Sequence, residues 1–394
     1  MRLTIMSSVL LNLFFFTALA VGCFIVTGAV PASAQETCTN QDHTSPTCLR
    51  LNQIQVLGSH NSYKRWPAQS LIDLLDEHRD GWANDISYEH PPLAEQLERL
   101  GLRQFELDVF ADPDGGLYAE PAGGVLIADP EMTRHRSVMN RPGFKVLHSQ
   151  DTDYRSTCQT LQACLIEIHD WSLSNPDHLP IMILIELKDA PRQDWGPLSY
   201  AVPVPYDHEL TLAVDQDIWK VFDRQHVITP DDVRGSASTL EQAVLNNGWP
   251  TLAESRGKVM FAMDNTGRHR DLYLQDSSTL AGRAMFVSMA PGHPAAGFIK
   301  MNDAIGDSEL IRDYVSRGFL VRTRSDVPSH EARTGDTTRK ELALDSGAQF
   351  ISTDYAEPSP FGSGYQVVLP DGPGNVRCNP VSAPEICQAD WLAE

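Results

Sequence analysis

The chain has 394 residues, 42% of them hydrophobic, and a formal net charge of -21 at pH 7. That length is ample for one large core or two small ones. The acid excess excludes a nucleic-acid partner, which needs a basic footprint to bind phosphates, and argues against long residence on an anionic membrane.

Residues 1–34 hold one charge, Arg2, then an apolar run from Val9 to Val30, and close on Ala32-Ser33-Ala34. This layout predicts a secretory signal cleaved before Gln35. The run approaches the length of a bilayer span, but Gly22, Thr27, Gly28 and Pro31 weaken it as an anchor. Lipidation at Cys23 fits poorly, because Ala20 stands where a lipoprotein signal usually carries Leu and apolar sequence continues past the cysteine. The cysteines beyond the signal fall into local pairs, Cys38/Cys48, Cys158/Cys164 and Cys378/Cys387. Even, local pairing suits an oxidising compartment. No CxxC occurs, which speaks against zinc. The pairs are expected to staple short loops, including those of the N- and C-terminal extensions, and each adds modest stability.

Short apolar runs predict strands at Gln53–Leu57, Arg103–Val109, Phe144–His148, Ile181–Lys188, Lys258–Met263, Ala284–Ser288, Phe319–Arg324 and Gln349–Ser352. Helical patterns lie between them at Leu93–Leu100, Ser156–Ser174, Tyr206–Val221, Asp307–Arg317 and Thr338–Ser346. Strands alternating with helices imply a parallel sheet. Eight such units predict an α/β fold of the TIM-type (β/α)8 class, a single domain with its core over about residues 50–360. Long insertions at 111–142 and 189–257 follow the second and fourth predicted strands, on the face where barrel enzymes build sites. An open doubly wound sheet would show a glycine-rich turn after its first strand; here the strand runs into Gly58-Ser59-His60-Asn61. Walker, HExxH and nucleophile-elbow motifs are absent. Asp112-Pro113-Asp114-Gly115 starts like a calcium-binding EF loop, but Gly123 stands where that loop needs Glu, so a turn is expected.

Polar residues gather at the ends of the first four predicted strands, in Ser59-His60-Asn61-Ser62, Glu106-Leu107-Asp108, His148-Ser149 and Glu186-Leu187-Lys188. Side chains two apart on a strand share a face. Glu106 and Asp108 therefore point together, as do Glu186 and Lys188, opposite apolar neighbours. Unpartnered carboxylates are prohibitively costly to bury. A closed salt-bridge network of Glu106, Asp108, Glu186 and Lys188 would answer that cost, and so would a bound cation. With the Asn61 amide, the three carboxylates form an all-oxygen set suited to calcium or magnesium. His60 and His148 follow apolar strands and can exchange protons near neutral pH. His90, His135, His169 and His178 are expected to be structural.

The ordered strings LGSHNSY (from Leu57), FELDVF (from Phe105), VLHSQD (from Val146) and ILIELKD (from Ile183) resemble the phosphoinositide-specific phospholipase C superfamily. The likeness is greatest to its secreted or bacterial calcium-dependent branch. Segments around Val321–Asp326 and Ser346–Tyr355 extend it over roughly residues 50 to 360. The resemblance implies His60 and His148 as the catalytic pair and Asn61, Glu106, Asp108 and Glu186 as ligands of Ca2+, with Mg2+ the weaker candidate. It further implies that Lys188 and Arg322 or Arg324 hold the phosphate or inositol, a role suited to guanidinium forks and a lysine point charge. The arginines could equally form rim salt bridges. The implied reaction is attack by the inositol 2-hydroxyl on its own phosphodiester, with His60 stabilising the transition state and His148 protonating the departing diacylglycerol. The expected partner is a phosphoinositide lipid or soluble inositol phosphodiester, met by a secreted or periplasmic monomer on brief visits to a membrane surface. Two alternatives are a glycerophosphodiester phosphodiesterase or phospholipase D-like enzyme, whose first histidine is typically followed by Arg-Gly rather than Asn61-Ser62, and a non-catalytic extracellular binding protein.

Overall fold

Runs such as Ile181–Leu187, apolar at nearly every position, form strands covered on both faces, as parallel sheets require. The computed structural model describes Cys38 and residues 45–394. The expected signal at 1–34 lies outside the described residues. Among the described residues no helix is long and apolar enough to cross a membrane.

Eight strands make the barrel: β1 (Ile54–Ser59), β2 (Gln104–Phe110), β3 (Ile181–Leu187), β4 (Val259–Met263), β5 (Met285–Val287), β6 (Phe298–Lys300), β7 (Leu320–Arg324) and β8 (Phe350–Thr353). Each pairs in parallel with its successor. β5 and β6 meet through a single parallel bridge, Ser288 to Phe298, and β8 returns to β1 with Phe350 opposite Val56. The singly wound order is that of the predicted (β/α)8 class. Close approach of β1 to β2 requires Gly58, where a Cβ would sit 2.4 Å from the Gln104 side chain and 2.5 Å from its carbonyl oxygen.

One strand assignment is corrected. Of the expected third strand, Phe144–His148, only Lys145–Val146 is extended, and it pairs antiparallel with the end of β2 outside the ring. The buried Lys145 ammonium holds it there, 3.0 Å from Asp112 and donating to the carbonyls of Arg141 (2.5 Å) and Gly143 (3.1 Å). β6 completes the ring instead. It has three residues and follows a Gly/Pro-rich stretch, too short to show a period.

The expected insertions carry helices of their own. Residues 111–142 contain Ala122–Leu126 and Met132–Met139, and 189–257 contains His208–Val221 among others. The helix expected from Ser156 begins only at Leu161, where the Thr160 hydroxyl accepts from the Ala163 N–H. The disulfides Cys38–Cys48, Cys158–Cys164 and Cys378–Cys387 pair as expected. The last follows Val376–Cys378, which runs antiparallel to the first half of β1.

Candidate active site

The ends of β1, β2 and β3 carry His60, Asn61, Glu106, Asp108, Glu186 and Lys188, while His148 follows Lys145–Val146 outside the ring and Arg322 and Arg324 stand on β7. His60 and Asn61 leave β1 in a turn closed by the Lys64 N–H on the Asn61 carbonyl at 2.9 Å, with Asn61 at φ +46°, a left-handed conformation that Asn tolerates. Ser62 ties this turn to β2, its hydroxyl accepting from the Glu106 N–H at 2.8 Å. Asn61 donates its amide to the Tyr88 hydroxyl at 2.7 Å, while its buried Oδ1 has no hydrogen-bond partner.

Sheet register then sets the carboxylates. Asp108 pairs with Glu186, and Ile185 with Met263. The Asp264 N–H donates to the Ile185 carbonyl at 2.9 Å, so Asp264 stands beside Glu186, in one row with Asp108. Glu106 lies one pleat repeat below. Oxygens of Glu106, Glu186 and Asp264 fall within 4.8 Å of one another.

Three cations balance this cluster incompletely. Arg322 donates to Glu106, Lys188 lies 3.2 Å from Asp108 and 3.3 Å from Glu186, and Lys300 lies 2.5 Å from Asp264. Burial still pushes Glu106 up to about 7 against the pull of Arg322. It raises Asp108 well above the usual carboxylate range against Lys188. Burial opposes the Lys188 charge, yet Asp108 and Glu186 lift its pKa above the ordinary lysine value. Asn61 Oδ1, Asp108 Oδ1 and Asp264 Oδ1 are buried acceptors without hydrogen-bond partners. Orphaned oxygens of this kind fit a hard divalent cation.

Each catalytic candidate is held by an aspartate. His60 Nδ1 lies 2.9 Å from Asp354 Oδ1, and its Nε2 lies 3.2 Å from Arg324 Nη1. A carboxylate accepts only from Nδ1–H, which leaves the lone pair on Nε2 facing the guanidinium. Burial, then Arg324 and Arg322, drive the His60 pKa well below 6.5, and His148 is near enough to add to the effect. The imidazole is thus neutral. Asp354 is anchored in turn: Arg324 Nη2 donates to it at 3.1 Å, and its own N–H donates to buried Asp326 at 2.8 Å. His148, partly exposed at the rim, places Nδ1 2.8 Å from Asp153 Oδ2, and buried Lys64 sits 3.3 Å from that same oxygen.

The two arginines part company. Arg324 reaches the mouth, whereas Arg322 is fully buried, with all three nitrogens committed to Ser352, Asn302 and Glu106. His90, His135 and His178 are buried and hydrogen-bonded to backbone carbonyls, as expected of structural histidines. Asp153, Asp264 and Asp354 escaped the sequence reading. Asp264 directly follows an apolar strand, the same signal that picked out His60, and Asp354 directly follows the last strand, whose second half is Ser352-Thr353.

Residues 49–380 match the family model described as phosphoinositide phospholipase C, Ca2+-dependent. The chain belongs to that family. It is therefore a phosphodiester-cleaving enzyme of the phosphoinositide phospholipase C type. Solved structures of a calcium-dependent phosphoinositol-specific phospholipase C from the Gram-negative bacterium Pseudomonas sp. resemble it in fold. One apo form aligns with TM-score 0.51 at 15% identity over 85% of this chain and 97% of its own. A myo-inositol complex gives 0.50 at 15% over 84% and 95%, and a second apo crystal form 0.51 at 14% over 87% and 100%. No curated protein sequence matches the chain. The match in fold supports the closed barrel of this phospholipase C.

Proposed function

We propose that this phospholipase C cleaves phosphatidylinositol-type lipids in a calcium-dependent reaction, releasing diacylglycerol and a cyclic inositol phosphate. The observation that carries the reading is a set of buried, unpartnered oxygens beside two aspartate-held imidazoles. Asn61, Glu106, Asp108 and Glu186 would hold the ion, which when bound acidifies the inositol 2-hydroxyl and offsets charge on phosphorus. His60 Nε2, free of a proton, accepts from that hydroxyl as its oxygen bonds to phosphorus. His148 delivers a proton from Nε2 to the diacylglycerol oxygen as the second P–O bond breaks, so one proton enters and one leaves the enzyme. Donation to the transition state from His60, the role implied by the family resemblance, would need a proton on Nε2, and Asp354 favours it on Nδ1. Lys188 and Arg324 meet the phosphate oxygens; Arg322, committed below the mouth, positions Glu106.

The same reading makes the enzyme an exported monomer. Three disulfides and the leader-like first 34 residues support export. The charge of -21 favours brief membrane visits or a soluble inositol phosphodiester. Incubation with phosphatidylinositol and with glycerophosphoinositol, with and without a calcium chelator, tests it. The expected outcome is diacylglycerol and inositol phosphate from the lipid only when calcium is free. Chelator-insensitive cleavage, or wild-type rates in His60→Ala or His148→Ala, would overturn it.

A further inference from the structure

Asp264 lies outside the ligand set implied by the family resemblance, yet its placement resembles that of the members of that set. It directly follows β4, is 3% exposed, and stands beside Glu186 in the row that includes Asp108. One of its oxygens lies within 4.8 Å of oxygens on both Glu106 and Glu186. Its two oxygens face different partners. Oδ2 takes the Lys300 ammonium at 2.5 Å, while Oδ1 has no hydrogen bond and lies 3.9 Å from Arg322 Nη1. Lys300 can neutralise the aspartate through Oδ2 without covering Oδ1. A buried carboxylate oxygen without a hydrogen bond, on a side chain that reaches to within 4.8 Å of two other carboxylates, is costly unless a cation comes to it.

We infer that Asp264 is a further ligand of the divalent cation, bound through Oδ1, with Lys300 as the counter-charge that holds the carboxylate when the ion is absent. The inference rests on the proposed calcium site and enlarges it. Calcium accepts six to eight oxygens, including waters, so an added carboxylate displaces one water and raises affinity.

Terbium, a luminescent stand-in for calcium, separates coordination from a mere field effect. Its emission lifetimes in H2O and D2O count the waters on the bound ion, and competition by calcium gives the affinity. Asp264→Ala is expected to add about one bound water and to weaken calcium at least about tenfold. Lys300→Met, which removes only the counter-charge, is expected to leave the water count unchanged. The pair Asp264→Ala/Lys300→Met avoids a lone buried ammonium and repeats the count if the single variant folds poorly. Weaker affinity with an unchanged water count in a folded variant would overturn the assignment and leave the proposed calcium site standing. A wild-type protein that binds neither ion would overturn that site itself.

Discussion

Asp354→Asn is the perturbation that probes the catalytic geometry most sharply. The substitution preserves shape but removes the charge facing His60 Nδ1 at 2.9 Å. When Nε2 takes a proton the ring becomes an imidazolium beside that carboxylate. Opposite charges about 4 Å apart at an effective dielectric near 20 attract by about 4 kcal/mol. At about 1.4 kcal/mol per tenfold in rate, losing that attraction slows the chemical step by up to about 10^3-fold. An amide NH2 pointing at Nδ1 would add to the loss by forcing the proton onto Nε2. Asp354 also accepts from Arg324, so some weakening of substrate binding is expected. Kinetics on a short-chain phosphatidylinositol at saturating calcium should show the main fall in kcat, with KM changed by far less and calcium affinity untouched. Nitrogen NMR of the imidazole should report a shifted tautomer. A kcat within about fivefold of wild type, in a folded variant that binds calcium normally, would refute the role of the Asp354–His60 pair.

Asp215 predicts a pH dependence of stability away from the site. Burial holds its carboxyl at about 6, against an ordinary 3.8, while the Tyr273 hydroxyl and the Ala284 N–H donate to it. A raised carboxyl contributes most below the unfolded value, and its contribution is lost as pH climbs through the folded one. Stability should therefore fall between about pH 4 and pH 6. Asp215→Asn should flatten that slope and gain up to about 2 kcal/mol at pH 7 after losing the bond from Ala284. Denaturant titrations across pH would show it, and an unchanged slope would count against the buried, protonated acid. Gly58→Ala should lower stability by on the order of 1–3 kcal/mol, because its Cβ would meet Gln104 backbone as well as side chain. A melting temperature equal to wild type would show that β1 and β2 can separate without penalty.

The barrel was legible where burial imposes long apolar runs, as in Ile181–Leu187, and where charged residues interrupt such a run with period two, as Glu106 and Asp108 do in β2. It was not legible at Phe298–Lys300, because three residues carry no period, nor at Lys145–Val146, where a buried lysine is tethered to the Asp112 carboxylate, 33 residues earlier in the chain. The site shows a similar division. Residues on the first strands stood out against apolar neighbours, whereas Asp153 sits in a loop whose fold brings it back to His148. Asp354 and His60 meet only because the last strand closes on the first, 294 residues apart in sequence. Arg322 and Arg324 look alike and share a face of β7, and their different fates rest on depth within the closed ring, where Glu106 waits below one and His60 beside the other.

Diffraction from crystals soaked with calcium and inositol phosphate would show directly whether the barrel mouth holds the ion and the phosphate together. One ion is expected at about 2.3–2.6 Å from oxygens of Asn61, Glu106, Asp108 and Glu186. The phosphate should lie between His60 and His148. Calcium bound elsewhere, or inositol phosphate away from both imidazoles, would contradict it.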